Sequence, residues 1–168
     1  MGTGGLFLRK LRAKVADKPT GFVWVEQGKI AGSGYPASRA QVEWLVSAGI
    51  KSVLTLTEAP LPSDWTKGLD VVTGHVAMRD HMPPTVDTMN EGVDFVLGQA
   101  SAGRPVVVHC LAGEGRTGCV LAAYLIRTRN LDGSQALVLL RKLNPEFVEP
   151  SQEKAVFEYA NTQSNKPS

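Results

Sequence analysis

One stretch constrains this chain more than any other: Val106-Val107-Val108-His109-Cys110-Leu111-Ala112-Gly113-Glu114-Gly115-Arg116-Thr117-Gly118. The β-branched residues 106–108, preceded by Arg104-Pro105, read as a short buried strand. Residues 119–129 (Cys-Val-Leu-Ala-Ala-Tyr-Leu-Ile-Arg-Thr-Arg) are rich enough in Ala and Leu for a buried helix with a basic last turn. Cys110 then falls where a strand ends and Arg116 where a helix begins, with five residues between them. A loop entering a helix aims several backbone N–H groups at one point, and the helix dipole adds positive potential there. An oxyanion suits such a nest. The amides of residues 111–116 (Leu111, Ala112, Gly113, Glu114, Gly115 and Arg116) surround it, and the Arg116 fork grips two of its oxygens. Gly113 and Gly115 let the backbone close round the ligand, and the same field favours the thiolate of Cys110. The arrangement suits attack of sulfur on phosphorus.

Two other loops share parts of this pattern. Gly113-x-Gly115-x-x-Gly118 is formally a dinucleotide fingerprint, but no acidic residue ends a second strand roughly twenty residues on. No lysine follows the glycines, which excludes a nucleotide-binding Walker loop. With His109 before the cysteine and Thr117-Gly118 after the arginine, the string resembles the cysteine-dependent protein tyrosine and dual-specificity phosphatases. The resemblance covers roughly residues 22–160. It implies a single-domain phosphotyrosine protein phosphatase-like fold, a phosphocysteine intermediate at Cys110, and phosphate binding by residues 111–116. It also implies that Thr117 donates to the departing sulfur, and that His109 orients the loop instead of acting as a general base.

The remaining chain fits an α/β domain. Phe22–Val25 and Ile30–Ser33 flank Gln27-Gly28-Lys29 as a hairpin. Ser38 caps a helix to about Ala48, with Val42, Leu45 and Val46 inward, and 51–57 reads as a strand. Residues 58–70 are loop-like, and Trp65 either fills core or rims the pocket. The next strand spans 71–77, where His75 lacks a partner at metal spacing and reads as a satisfied strand histidine. A helix follows from the Thr85 cap to about Ala100, its stripe being Val86, Met89, Val93, Val96, Leu97 and Ala100. A second helix spans 134–143, with Ala136, Leu137, Leu140 and Leu143 inward, and a last one starts at Pro150 or Ser151. Helix-into-strand order throughout indicates a mainly parallel central sheet with helices on both faces.

Ester cleavage needs an acid for the leaving oxygen, and a carboxyl on a mobile loop supplies one. Asp80 stands between a strand end and Pro83-Pro84, thirty residues before Cys110, where the family resembled carries its acid. His81 and Asp87 are the alternatives. Toward the end, Glu149 and Gln152-Glu153-Lys154 resemble the small atypical dual-specificity phosphatases of archaea and animals, with one residue fewer between Glu149 and Gln152. That likeness implies that Glu149 and Gln152 position the water that hydrolyses phosphocysteine. Cys119 reads as a small buried hydrophobe in the first helical turn, or as a partner in a protective disulfide.

Composition sets the outer limits. A chain of 168 residues, 43% hydrophobic and 20% charged, suits one globular domain with a core. A net charge of +2 gives no ground for nucleic-acid binding, and no apolar run reaches the roughly 18 residues of a membrane span. Two cysteines form no disulfide framework, and a working thiolate calls for a reducing, cytoplasmic setting. The expected organisation is a basic arm over 1–21, a catalytic domain over 22–162 and a tail over 163–168. The arm, with its weakly amphipathic 6–15 segment, either touches an anionic membrane or partner, or forms a short packed helix or frayed end. The expected activity is metal- and cofactor-free hydrolysis of phosphotyrosine, and of phosphoserine or phosphothreonine, in phosphoprotein substrates by a monomer. RNA ends or phosphoinositides are the alternative substrates, Glu114 inside the loop weighing against the most anionic ones. A phosphate-binding module with weak turnover is the alternative class.

Overall fold

The computed structural model describes residues 18–165. In chain order its elements are β1 (Val23–Glu26), β2 (Ile30–Ser33), α1 (Arg39–Ser47), β3 (Ser52–Thr55), β4 (Val72–His75), α2 (Val86–Ser101), β5 (Val106–His109), α3 (Gly115–Arg129), α4 (Gly133–Leu143) and α5 (Glu153–Ser164), with 3₁₀ turns at Ser63–Trp65 and Pro150–Gln152. The amphipathic 6–15 segment and residues 166–168 lie outside the described residues.

Alternation along the strands assigns the two faces of the sheet. Ile30, Leu54, Val106 and Val108 join the larger core with α2, α3, α4 and α5. Ala31, Val53 and Val107 face the other way, onto Leu45 and Ile50, with Phe22, Trp24 and Trp44 around them. Each fully buried aliphatic side chain contributes about 1.5–3 kcal/mol relative to exposure. The strand order is β1-β2-β5-β3-β4, antiparallel only in the β1–β2 hairpin. Both faces of the central strands are covered, which explains their unbroken apolar runs.

Register places the functional edge. Ser33 and Thr55 both pair with His109, and Thr55 also pairs with His75, so the four parallel strands end level. The segments that follow them (Gly34-Tyr35, Thr57-Glu58, Met78–Asp80 and Cys110 onward) therefore leave the sheet along one edge, where ligands of open α/β sheets bind.

The capping expectations hold. Ser38 accepts from the Gln41 amide and Thr85 from the Thr88 amide. Several boundaries move. The helix expected over 119–129 starts at Gly115, so Cys119 lies in its second turn. Asp132 and Gln135 form a capping box that starts α4 at Gly133. Leu143, expected inward, is 43% exposed at the last position of α4, where the helix has outrun the core. The arm boundary also shifts: the Thr20 carbonyl accepts from the Gly34 amide at 2.7 Å, and Lys18 Nζ lies 5.6 Å from the Trp44 ring centre. Residues 18–21 thus belong to the body of the domain, and α5 runs through position 163 to Ser164.

Candidate active site

The loop that leaves β5 is fixed by two glycines for different reasons. Gly113 has φ +80°, and a Cβ there would strike the Ser33–Gly34 backbone. Gly118 faces the chain from α3, where a Cβ would meet the Val148 amide nitrogen at 2.5 Å. Only glycine lets the loop lie on β2 and the helix lie against residues 147–148. Val148 itself has φ +64°, an outlying conformation for a β-branched residue. Arg141 holds it there, donating to the Phe147 and Val148 carbonyls at 3.1 and 2.7 Å and to Glu153 at 2.7 Å.

Arg116 is the hub of the site. It is 2% exposed, in the first turn of α3. Nη1 donates to the Met78 carbonyl at 3.0 Å and to Glu58 at 3.2 Å, and Nη2 lies 2.9 Å from Asp80 Oδ1. Its Nε is buried without a hydrogen-bond partner among the described residues, as is the Thr117 hydroxyl. Cys110 is 3% exposed and directly precedes Leu111. Leu111, Arg116, Asp80, Glu58, Thr57, Ala59 and Tyr35 line a cleft of about 400 Å³.

His109 supports the loop from below. It is buried, with Nε2 2.8 Å from Thr55 Oγ1 and Nδ1 3.1 Å from the Cys110 carbonyl. A carbonyl only accepts, so Nδ1 carries the proton and Nε2 accepts from the Thr55 hydroxyl. Burial is the chief reason its pKa is pushed down to about 4, so the ring is neutral at physiological pH. The ring thus joins the Cys110 carbonyl to Thr55 on the neighbouring strand. Because the unfolded ring titrates near 6.5, stability from this residue is complete above that pH and is lost as pH falls from 6.5 to about 4. Urea unfolding at pH 7 and pH 4 is expected to show a loss of about 3 kcal/mol from this ring. His109→Gln should remove that part of the slope.

The other expected residues distribute unevenly. Gln152 is fully buried, its Oε1 accepting from the Glu149 amide at 3.2 Å and its Nε2 donating to the Met82 carbonyl at 3.3 Å. A Cβ on Gly115 would lie 2.6 Å from Gln152 Oε1 and 3.0 Å from Glu149 Oε1, so both side chains reach the first turn of α3. Glu114 is half-buried and lines a second cleft with Arg141 and Glu149, so its carboxylate looks away from the first. Cys119 is buried, and desolvation raises its thiol to about 12. His75 Nε2 meets the Thr57 carbonyl at 2.8 Å and is satisfied. Trp65 stacks edge-on behind Tyr35, 6.0 Å between ring centres, and so supports the rim without lining it.

Glu58 and Tyr35 went unrecognised in the sequence. Glu58 Oε1 accepts the Asp80 amide at 2.9 Å while Oε2 meets Arg116, and the Asp80 amide is the main cause of its lowered carboxyl pKa. The available signal was position: both residues follow the C-terminal ends of parallel strands. Among the described residues, no group of three or more His, Cys, Asp or Glu is gathered as a metal site, and no helix is long and apolar enough to cross a membrane.

A Cys-x5-Arg loop between a parallel strand and a helix N-terminus, facing a carboxyl on a neighbouring loop, defines a phosphatase of the dual-specificity and tyrosine phosphatase class. Residues 19–157 match the family described as PTP-SAK, Swiss Army Knife protein, DSP-PTPase phosphatase domain, and the chain belongs to it. Two phosphatidylglycerophosphate phosphatases of Arabidopsis thaliana are similar. PTPMT1 is 31% identical over 135 residues, 74% of this chain and 40% of that protein. PTPMT2 is 30% identical over 131 residues, 75% of this chain and 58% of that protein. The chain thus spans less than two thirds of either relative. The crystal structure of Tk-PTP in the active form superposes with a TM-score of 0.75 at 27% identity, covering 85% of this chain and 97% of that one.

Proposed function

We propose that this protein hydrolyses phosphate monoesters through a phosphocysteine at Cys110, acting on phosphotyrosine, and on phosphoserine or phosphothreonine, in proteins. The observation that carries this reading is Arg116, buried and anchored, with the Asp80 carboxyl at 2.9 Å on the wall of the cleft that Leu111 shares. A phosphate dianion at the 111–116 amides takes the place of Asp80 as the partner of Arg116. The Cys110 thiolate attacks phosphorus, the P–O bond to the leaving group breaks, and the Asp80 proton passes to the leaving oxygen. Water, held by Asp80 with Glu149 and Gln152, then attacks phosphorus and returns a proton to Asp80. The S–P bond breaks, phosphate leaves, and the Thr117 hydroxyl donates to the departing sulfur. The reaction draws on no metal or cofactor.

Tyr35, edge-on to His109 with ring centres 5.5 Å apart, and Leu111, 60% exposed, offer an apolar cleft wall suited to an aromatic leaving group. The acidic groups that line the cleft, Glu58 and Asp80, disfavour RNA ends and polyphosphorylated inositides. A lipid phosphomonoester is the second reading, favoured by the Arabidopsis relatives. The test is hydrolysis of p-nitrophenyl phosphate in chelator, followed by phosphotyrosine peptide against phosphatidylglycerophosphate vesicles. The wild type should turn over without metal and prefer the peptide in kcat/KM; preference for the vesicles would move the lipid reading to first place. Asp80→Asn is expected to slow phosphotyrosine cleavage about 10²-fold or more, with the alkaline-side fall of the rate flattened. An unchanged rate would remove Asp80 from the role of acid.

A further inference from the structure

His81 has no part in the chemistry above, yet it occupies the junction of the two loops that flank the site. Its backbone has φ +57°, the left-handed conformation, which turns the ring away from the direction an extended residue would give it. Its own N–H donates to Asp80 Oδ1 at 3.0 Å. Its Nδ1 lies 3.1 and 3.3 Å from the two carboxylate oxygens of Glu149, sixty-eight residues away in sequence. Its Nε2 lies 3.6 Å from Asp80 Oδ2. An ionised carboxylate accepts and never donates, whereas a neutral imidazole carries one N–H. The imidazolium alone has an N–H on each side, making the hydrogen bond to Glu149 and a longer charge contact to Asp80.

The same two loops are joined a second time by Gln152, through the Met82 carbonyl on one side and the Glu149 amide on the other. We propose that His81, as the imidazolium, is a positioning residue that clasps the Asp80 loop to the Glu149 loop, so that the leaving-group acid and the water-positioning glutamate are held in one geometry. The inference rests on the phosphocysteine reading above and adds to it a pH-dependent link between the two steps.

The charges around the ring are those of the site itself. On its own loop stands Asp80, itself tied to Arg116 and, through its amide, to Glu58. Facing it from the 145–152 loop is Glu149, beyond which Glu114, Arg141, Glu146 and Glu153 line the second cleft. Arg141 is engaged by Glu153 and two carbonyls, so the carboxylates of Asp80 and Glu149 are the charges that contact the ring. The ring is 75% exposed, which limits each pair to the modest strength of a surface contact.

The experiment measures kcat for p-nitrophenyl phosphate from pH 5.5 to 8.5 in the wild type, His81→Asn, Glu149→Gln and the double variant. Asparagine keeps the tolerance for positive φ and removes the charge. At pH 5.5 His81→Asn is expected to lower kcat about twofold to fivefold. The gap should close toward pH 8.5 as the wild-type imidazole loses its proton. In the Glu149→Gln background the same change should add little, because the clasp is already open. A deficit that stays constant with pH, no deficit at any pH, or strictly additive effects of the two variants would overturn the clasp. An inactive wild type would instead fail the phosphatase reading, and the clasp with it, before any variant is compared.

Discussion

Turnover of p-nitrophenyl phosphate is expected to fall by about four orders of magnitude or more in Cys110→Ser, the whole activity in practical terms. Serine keeps the size and position of the side chain, so the 3% exposed site stays filled and the loop keeps its shape. What changes is acidity. A thiol ionises and attacks as the thiolate, whereas an alcohol is far too weak an acid to supply the corresponding alkoxide. The variant should therefore still bind phosphate or vanadate by calorimetry while failing to hydrolyse the ester. Activity that survives the substitution, in chelator, would exclude a phosphocysteine and point to water or another side chain as the attacking group.

Arg116→Lys is expected to lower kcat/KM by about 10²- to 10³-fold, the usual cost of losing one oriented donor at a transition-state oxyanion. Charge is conserved in this change; direction is not. Arg116 already spends Nη1 on the Met78 carbonyl and Glu58 and faces Asp80 through Nη2, with Nε free of partners among the described residues. A lysine ammonium is a single point. It cannot hold the acid loop and present two parallel donors to a phosphate as well. The loss should appear both in kcat/KM and in the dissociation constant for vanadate. A variant within tenfold of the wild type would mean that the backbone amides alone bind the dianion.

The loop from Cys110 to Gly118 was legible because its chemistry is local: strand, glycines, arginine and helix start follow one another, and spacing alone puts the cysteine and arginine on one nest. The hairpin, the caps at Ser38 and Thr85 and the apolar stripes were legible for the same reason. Glu58 was not, since its value comes from a contact with Arg116 across fifty-eight positions and from the level ends of parallel strands. The link from His81 to Glu149 was equally invisible, depending on a left-handed backbone at 81 and on the Arg141 clamp that turns residues 147–148. Leu143 misled because periodicity says which way a residue points and not whether anything is there to meet it.

Helix α3 carries Arg116 and Thr117 in its first turn and is buried continuously from Gly115 to Ile126. The element that carries Arg116 is therefore also the central column of the larger core, and it cannot come loose without the whole molecule doing so. Its amides should exchange with deuterium only through global opening, while the exposed 79–83 segment, with few buried contacts, should exchange through local fluctuations at far lower free energy. On warming, such a molecule meets two separate thresholds: the 79–83 loop escapes its tethers first, and the start of α3 persists until the fold itself melts.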